Sequence, residues 1–597
     1  MHLYHPSKQY KGNVIYCNHI TKDSNGRIFL FHGKNLNRCQ FMCLRLKLHL
    51  RHHILQMILL IGRSRMLIFL LACRTEEIVA EDTAGFDQSQ AFECSSENPT
   101  IQSTTGCIEG LSIGGLSMFL GIPYAEPPIG TLRWKRPVPI TPSDEIQKAV
   151  SLSSPCVQSD NYGGVFGSED CLSLNIFQPQ EMNEALPILF FTHGGSFTSG
   201  MGSTSVLEAP PQLATKAILV THNYRLGPFG FLAHPDMSAE DQAEHEYGTS
   251  GNLGLLDTLT ALKWVYDNAE TLGGNPENIM IFGESAGAIS TCALLLMTEA
   301  EGLFSSALLQ SGACTSISTP QEYAQQQGIA YENLLDCSSS DNSLDCMRDS
   351  SASEIMSIDA STMMEFGDSF GPNVDGVYIP QSSGDMLYAG DFHRVPIAAG
   401  INKDEGSMFV HSLGLENAEE LEQTLSSYGL FWGFSDFETL FSLYSIEEFG
   451  SAQAAMDQFY GDLIFVCPTR LSLDMISYYT NAFGYYYSHE PSWLSQYPEL
   501  DGWGSYHSSE LTFVFGTYLS FLTQEEQTFS EQIMQTWVNF AKNDYSTGTQ
   551  SEWTIYQPQL STVSNNRQWL SLASNDFQMI SGIHKDRCDF MMTQWFE

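Results

Sequence analysis

From about residue 95 onward, short apolar runs alternate with stretches of helical periodicity, the signature of strands and helices interleaved around one sheet. Pro187–Phe191 and Ala217–Thr221 are apolar along almost their whole length, as expected of strands buried on both faces. Leu256, Leu259, Leu262 and Val265 recur at helical spacing within Leu255–Tyr266. Gly273-Gly274-Asn275-Pro276 predicts a turn, Asn278–Phe282 a strand that Gly283 breaks, and Ala286–Met297 a buried helix. Val395–Gly400 and Phe483–Tyr487 predict two later strands, and Ser530–Ala541 an amphipathic helix near the end. Ser338–Ser353 reads as a polar surface segment, and the acidic run Glu416–Glu422 as a solvated helix face. With no internal repeat and no separating linker, the pattern predicts an α/β fold. A large, mostly parallel central sheet would carry helices on both faces, in one domain over residues 81–597.

Composition agrees with a large globular body: 597 residues, 43% hydrophobic, 12% aromatic and 16% charged. Charge is distributed unevenly. Residues 1–74 carry 12 of the 27 Lys and Arg but one of the 69 Asp and Glu. The rest has 15 basic against 68 acidic side chains, a net charge of −53. Such a body excludes binding to nucleic acid or an anionic membrane, and it tolerates neutral or cationic small molecules better than anionic ones.

The head differs in kind. Residues 1–53 hold seven His among scattered Lys and Arg, without periodicity. The apolar run Ile54–Ile61, the basic Arg63-Ser64-Arg65, the apolar Met66–Cys73 and the small residue Ala80 then follow the order of a signal peptide. The expectation is an N-terminal extension and signal peptide over residues 1–80, translation starting at Met57 or Met66, and secretion. A signal anchor over Ile54–Ala72 is the alternative, although the two Arg interrupt it and leave no stable span expected in the mature chain.

Four of the fourteen Cys lie in the head, at 17, 39, 43 and 73. No Cys-x-x-Cys pair suggests zinc or redox chemistry, so the other ten are candidates for disulfides in a secreted chain. No Asn-x-Ser/Thr sequon occurs, since Asn98 is followed by Pro.

The strongest chemical signal is Gly283-Glu284-Ser285-Ala286-Gly287, between a predicted strand and a predicted helix. A serine hydroxyl needs a base to become a nucleophile, and a sharp strand-to-helix turn exposes its oxygen at a helix N-terminus. Small residues on both sides allow the close chain approach that such a turn demands. His193-Gly194-Gly195-Ser196-Phe197 follows an earlier strand. Its glycine amides, Gly194 and Gly195, with that of Ala286, suit an oxyanion hole, where one donor is worth roughly 3–4 kcal/mol. Chain order then asks for an acid after a late strand and a histidine after the last ones. Asp404 and Glu405 both qualify as the acid. His507, after Gly502-Trp503-Gly504-Ser505-Tyr506, fits the base, with His489 as its rival, whereas His193 and His222 read as structural.

Three runs, in order, resemble the type-B carboxylesterase/lipase family, which includes cholinesterases and fungal lipases. They are Gly121-Ile122-Pro123-Tyr124-Ala125-Glu126-Pro127-Pro128, Glu169-Asp170-Cys171-Leu172-Ser173-Leu174-Asn175 and Phe282-Gly283-Glu284-Ser285-Ala286-Gly287. The resemblance covers residues 95 to 590 and implies an α/β-hydrolase fold. It selects Glu405, which precedes Gly-Ser, over Asp404, and His507 through His507-Ser508-Ser509-Glu510. It makes Glu284 a buried acid beside the nucleophile and Ser311 a supporting serine. It also implies the disulfides Cys156–Cys171, Cys337–Cys346 and Cys467–Cys588. Cys94, Cys107, Cys292 and Cys314 are left without assigned partners, Cys292 reading as a buried free thiol. One departure is plain: the family's cholinesterases carry a choline-binding Trp in the first disulfide loop, and Val157–Asp170 has Tyr162 and Phe166 but no Trp.

These residues together predict ester hydrolysis through an acyl-enzyme, with Ser285 as nucleophile, His507 as base and Glu405 as its orienting acid, and no metal or cofactor required. Long-chain lipase or sterol-esterase activity is one alternative. A non-catalytic adhesion protein of the same fold, the neuroligin type, is another, although such proteins lack the nucleophile that is present here.

Overall fold

The computed structural model describes residues 94–597 except 161–162, 204–210, 359–369, 518–519, 550, 558–566, 575 and 597. It also describes the backbone of two strands, Cys17–Lys22 and Ile28–Gly33. The chain forms two units, residues 1–91 and 92–597. In the first, the two strands pair antiparallel, Cys17 opposite Gly33. The predicted signal peptide and start site lie outside the described residues.

The second unit is built on an eleven-stranded sheet. In chain order its strands are β1 (Leu111–Ile113), β2 (Leu116–Pro123), β3 (Ser173–Pro179), β4 (Leu186–Thr192), β5 (Ile218–His222) and β6 (Gly274–Glu284). There follow β7 (Ser306–Gln310), β8 (Ile397–Asn402), β9 (Ala482–Tyr487), β10 (Gln568–Leu572) and β11 (Met579–Ser581). The spatial order is β11-β10-β9-β8-β7-β6-β4-β5-β3-β2-β1. Strands β5, β4 and β6 through β10 run parallel to one another; β1, β2 and β3 pair antiparallel at one edge, where β3 also meets β5 antiparallel, and β11 pairs antiparallel with β10 at the other.

The parallel strands read as apolar runs because both faces are covered. Successive side chains alternate between two cores. Ile188, Phe190, Ile218, Val220, Ile279 and Ile281 enter one; Leu189, Phe191, Leu219, Met280 and Phe282 enter the other. Helices α1 (Leu253–Asn268) and α2 (Ala286–Leu296) cover the first face, and α3 (Gln524–Ala541) covers the second with Phe529, Ile533, Trp537 and Phe540.

Several boundaries differ from the sequence expectation. Strand β6 runs through Gly283 to Glu284, where a break at Gly283 was expected, because Gly283 and Glu284 pair with Leu309 and Gln310 of β7. Strand β8 starts at Ile397 and ends at Asn402, two residues later at each end than expected. The turn predicted at Gly273–Pro276 is already strand from Gly274, because this segment pairs with Leu186 before a register shift brings Ile279 opposite Ile188. The helix predicted from Ser530 starts at Gln524, where Thr523 and Glu526 close a capping box that satisfies two of the first turn's free donors.

Five disulfides brace this unit: Cys94–Cys107, Cys156–Cys171, Cys292–Cys314, Cys337–Cys346 and Cys467–Cys588. The free thiol expected at Cys292 is therefore corrected. Cys292 lies one turn beyond Ala288 on α2, and the loop after β7 packs on that face so closely that a Cβ on Gly312 would sit 2.6 Å from the Ala288 Cβ. Cys314 arrives with that loop. The Cys467–Cys588 bridge spans 121 residues of chain. Replacing both with Ser is expected to lower the unfolding free energy by about 4–5 kcal/mol, the loop-entropy scale for such a span, read as a lower urea midpoint. An unchanged midpoint would show that the terminal helix is held equally well without it.

Candidate active site

Strand β6 ends at Glu284 and α2 begins at Ala286, so Ser285 alone makes the turn, at φ 57° and ψ −124°. Such a conformation costs strain in any residue with a side chain and persists only where its surroundings enforce it. They do so here. The Ser285 N–H donates to the Gln310 carbonyl at 2.8 Å. A Cβ on Gly283 would lie 2.3 Å from the Gly287 oxygen, and one on Gly287 would lie 2.0 Å from the Thr192 oxygen, so neither position admits a larger residue. Ser285 stays partly exposed between buried Glu284 and Ala286.

The glycine turn after β4 packs directly on this elbow. A Cβ on Gly194 would lie 2.9 Å from the Ser285 Cβ and 2.6 Å from Glu284 Oε2. Gly195, at φ 109°, closes the turn by accepting from the N–H groups of Thr198 and Ser199, both at 3.0 Å. Ala286 is the first residue of α2, so its N–H has no acceptor within the helix. His193 and His222 are buried in stacks with Tyr224 and Phe190, at 4.5 and 4.6 Å. Burial holds them down to about 4 and about 3, and both are neutral at pH 7.

On the other side, His507 Nδ1 donates to Glu405 Oε2 at 2.6 Å, both groups buried. Glu405 Oε1 accepts the Asn402 N–H at 2.7 Å. The Asn402 amide in turn donates to the Tyr506 carbonyl at 2.8 Å and to Glu510 Oε2 at 2.6 Å, while Gln310 donates to Glu510 Oε1 at 2.9 Å. The ends of β7 and β8 and the histidine loop are thus tied to one another. Asp404 faces elsewhere and accepts the Ser505 N–H at 2.9 Å. His489 lies 3.1 Å from Glu526. The rings of Phe465 and Phe409 pack on the His507 imidazole, at 4.5 and 5.1 Å.

The remaining imidazole nitrogen departs from expectation. His507 Nε2 makes no hydrogen bond among the described residues; it lies 3.0 Å from Glu284 Oε1, out of hydrogen-bond alignment. The direct bond to Ser285 that the sequence reading calls for is not made in this conformation, although Glu284, its neighbour in the chain, brings the imidazole to the elbow. Ser311 is buried at φ 52°, its N–H bonded to the Gly400 carbonyl at 2.9 Å, and its hydroxyl has no partner among the described residues.

Electrostatics follow from burying three carboxyls around one imidazole. Burial is the main force raising the Glu284 pKa, partly offset by His507 and reinforced by Glu510 and Glu405. Burial also raises Glu510. His507 is lowered by burial, but Glu284 and Glu405 outweigh that and set it above the ordinary value of 6.5. Glu510, Asn402 and Gln310 and the rings of Phe409 and Phe465 were not identified as site residues from the sequence. The signal nearest to them was Glu510, three positions beyond His507.

The carboxylesterase family profile matches residues 97–591. The cholinesterase of Mus musculus is 31% identical over 538 residues, covering 83% of this chain and 86% of its own length. The acetylcholinesterase of Bungarus fasciatus is 32% identical over 507 residues (77% and 82%), and the para-nitrobenzyl esterase of Bacillus subtilis (strain 168) 30% over 479 residues (76% and 92%). A solved PNB esterase structure superimposes with a TM-score of 0.68 at 29% identity, covering 83% of this chain and all of that one.

Proposed function

The chain belongs to the carboxylesterase family and is a carboxylic ester hydrolase, and from that starting point we propose that it works through an acyl-enzyme formed on Ser285, with His507 as general base and Glu405 as the acid that orients it. The observation that carries this reading is the buried 2.6 Å hydrogen bond from His507 Nδ1 to Glu405, which fixes the tautomer and leaves Nε2 free to accept a proton beside the elbow. Hydrogen bonds between base and nucleophile are often loose in free enzymes and tighten once substrate is bound.

In the forward step His507 Nε2 takes the Ser285 proton as Oγ attacks the ester carbonyl. The N–H groups of Gly194, Gly195 and Ala286 take up the oxyanion. His507 then protonates the leaving alcohol, and in the second half it activates water to release the acid. Glu405 stabilises the imidazolium in each half. Neutral or cationic esters suit the −53 body better than anionic ones. The absence of Trp from Val157–Asp170 argues against a dedicated choline esterase. Secretion is supported by the five disulfides, and among the described residues no helix is long and apolar enough to cross a membrane.

The acid limb of kcat/KM tests the assignment of base and neighbour. His507 serves as base only when neutral, so activity rises with pH through its raised pKa, and the midpoint is expected above 6.5. Glu284→Gln removes the carboxyl first among the groups that raise it, so the midpoint should move down. A midpoint that stays in place in Glu284→Gln would uncouple Glu284 from the base.

A further inference from the structure

Gln310, at the end of β7, serves both halves of the ester site. Its carbonyl accepts the Ser285 N–H at 2.8 Å, and its side-chain amide donates to Glu510 Oε1 at 2.9 Å. Trp537 of α3 reaches the same amide from the second face of the sheet, its indole Nε1–H donating to Gln310 Oε1 at 3.3 Å. An indole nitrogen can only donate, so it turns the amide oxygen toward itself and the NH₂ toward Glu510. Asn402 is oriented in the same manner from the other side. Its NH₂ donates to the Tyr506 carbonyl, which can only accept, and to Glu510 Oε2. All four side chains are buried. Each Glu510 oxygen therefore faces an N–H donor, the arrangement that favours the ionised form.

Resting on the assignment of His507 as base, we propose that Gln310 and Trp537 are positioning residues: they hold Glu510 as a carboxylate near the imidazole, a third negative charge that stabilises His507 when it takes the Ser285 proton. Glu510 acts on His507 in the same sense as Glu284 and Glu405, favouring the protonated ring. That charge needs its donors. Burial pushes the Glu510 pKa up, the bond from Asn402 pulls it down, and Glu405 pushes it up again. The other titratable groups facing Glu510 are Glu284 and the phenols of Tyr485, Tyr487 and Tyr506, which burial keeps neutral. Gln310 thus supports the nucleophile's turn through its backbone and the base's electrostatic field through its side chain.

The acid limb of kcat/KM for p-nitrophenyl acetate, measured on the whole protein, tests the relay. Glu510→Gln, permanently neutral, is expected to move the midpoint down by about one pH unit and to lower kcat on the plateau by up to about tenfold, with KM near parental. Gln310→Met keeps the backbone carbonyl and fills the space but offers Glu510 no donor, and it should give the same shift. The double variant should shift no further than either single one. Trp537→Phe, which frees the amide to turn over, should move the midpoint partway, and with Glu510→Gln it provides the same cycle if Gln310→Met does not fold. An unmoved midpoint in Glu510→Gln, an unmoved midpoint in the folded Gln310 and Trp537 variants, or shifts that add in the double variants would overturn the relay. A parent enzyme with no acid limb at all would instead refute His507 as base, so the two failures are distinct.

Discussion

Replacing Ser285 with Ala is expected to lower kcat by a factor on the order of 10⁶, the scale on which removal of an activated serine is felt, and to leave thermal unfolding near that of the parent. The loss follows because Ala carries no hydroxyl to attack the ester carbonyl. The elbow's conformation is imposed by Gly283, Gly287 and the Ser285 N–H bond to Gln310, none of which the substitution touches. Ala has the same Cβ and meets the same neighbours. Near-parental turnover in a folded Ser285→Ala variant would remove the residue from the reaction; loss of turnover together with collapse of the unfolding temperature would make it structural.

Glu405→Gln is expected to cost about 10⁴ in kcat, about 5.5 kcal/mol of transition-state stabilisation. The reason lies in which oxygen is already occupied. Glu405 Oε1 accepts the Asn402 N–H, so a glutamine would keep its carbonyl there and turn its NH₂ toward His507 Nδ1. That nitrogen would become an acceptor, and the ring proton would move to Nε2, where a base needs a lone pair. Asp404→Asn is the contrasting substitution, since an amide oxygen still accepts the Ser505 N–H and the histidine is untouched. Steady-state kinetics of both variants separate the roles. A larger loss in Asp404→Asn than in Glu405→Gln would reverse the assignment that the sequence alone left open.

What the sequence made legible depended on how local the physics is. Strands β4, β5 and β7 are buried on both faces, and β4 and β5 were visible as apolar runs. The edge strands Leu111–Ile113 and Met579–Ser581, three residues each, carry no such run. The elbow was legible because its constraints sit within five residues: a turn, a nucleophile and the small neighbours that let the chain pass Thr192. Acid and base were placed by chain order and resemblance, since nothing local distinguishes Glu405 from Asp404. The network of Glu510, Asn402 and Gln310 was not legible, because three segments separated by about 100 residues each meet only in the folded sheet. The Cys292–Cys314 bridge, only 22 residues apart in the chain, escaped because its pairing depends on how the loop after β7 packs on α2. So did Phe465, whose place on the imidazole depends on a single π-helical turn over Asp462–Val466, a rare irregularity that no spacing rule predicts.

The most direct test of the central claim is the site of the covalent intermediate. Quenching the enzyme in acid during rapid turnover of p-nitrophenyl acetate, followed by peptide mass spectrometry, should place one acetyl group on the peptide containing Ser285. Accumulation should be slower by orders of magnitude in Glu405→Gln. Full turnover with no acetylated peptide, or with the acetyl group on a different residue, would contradict the account.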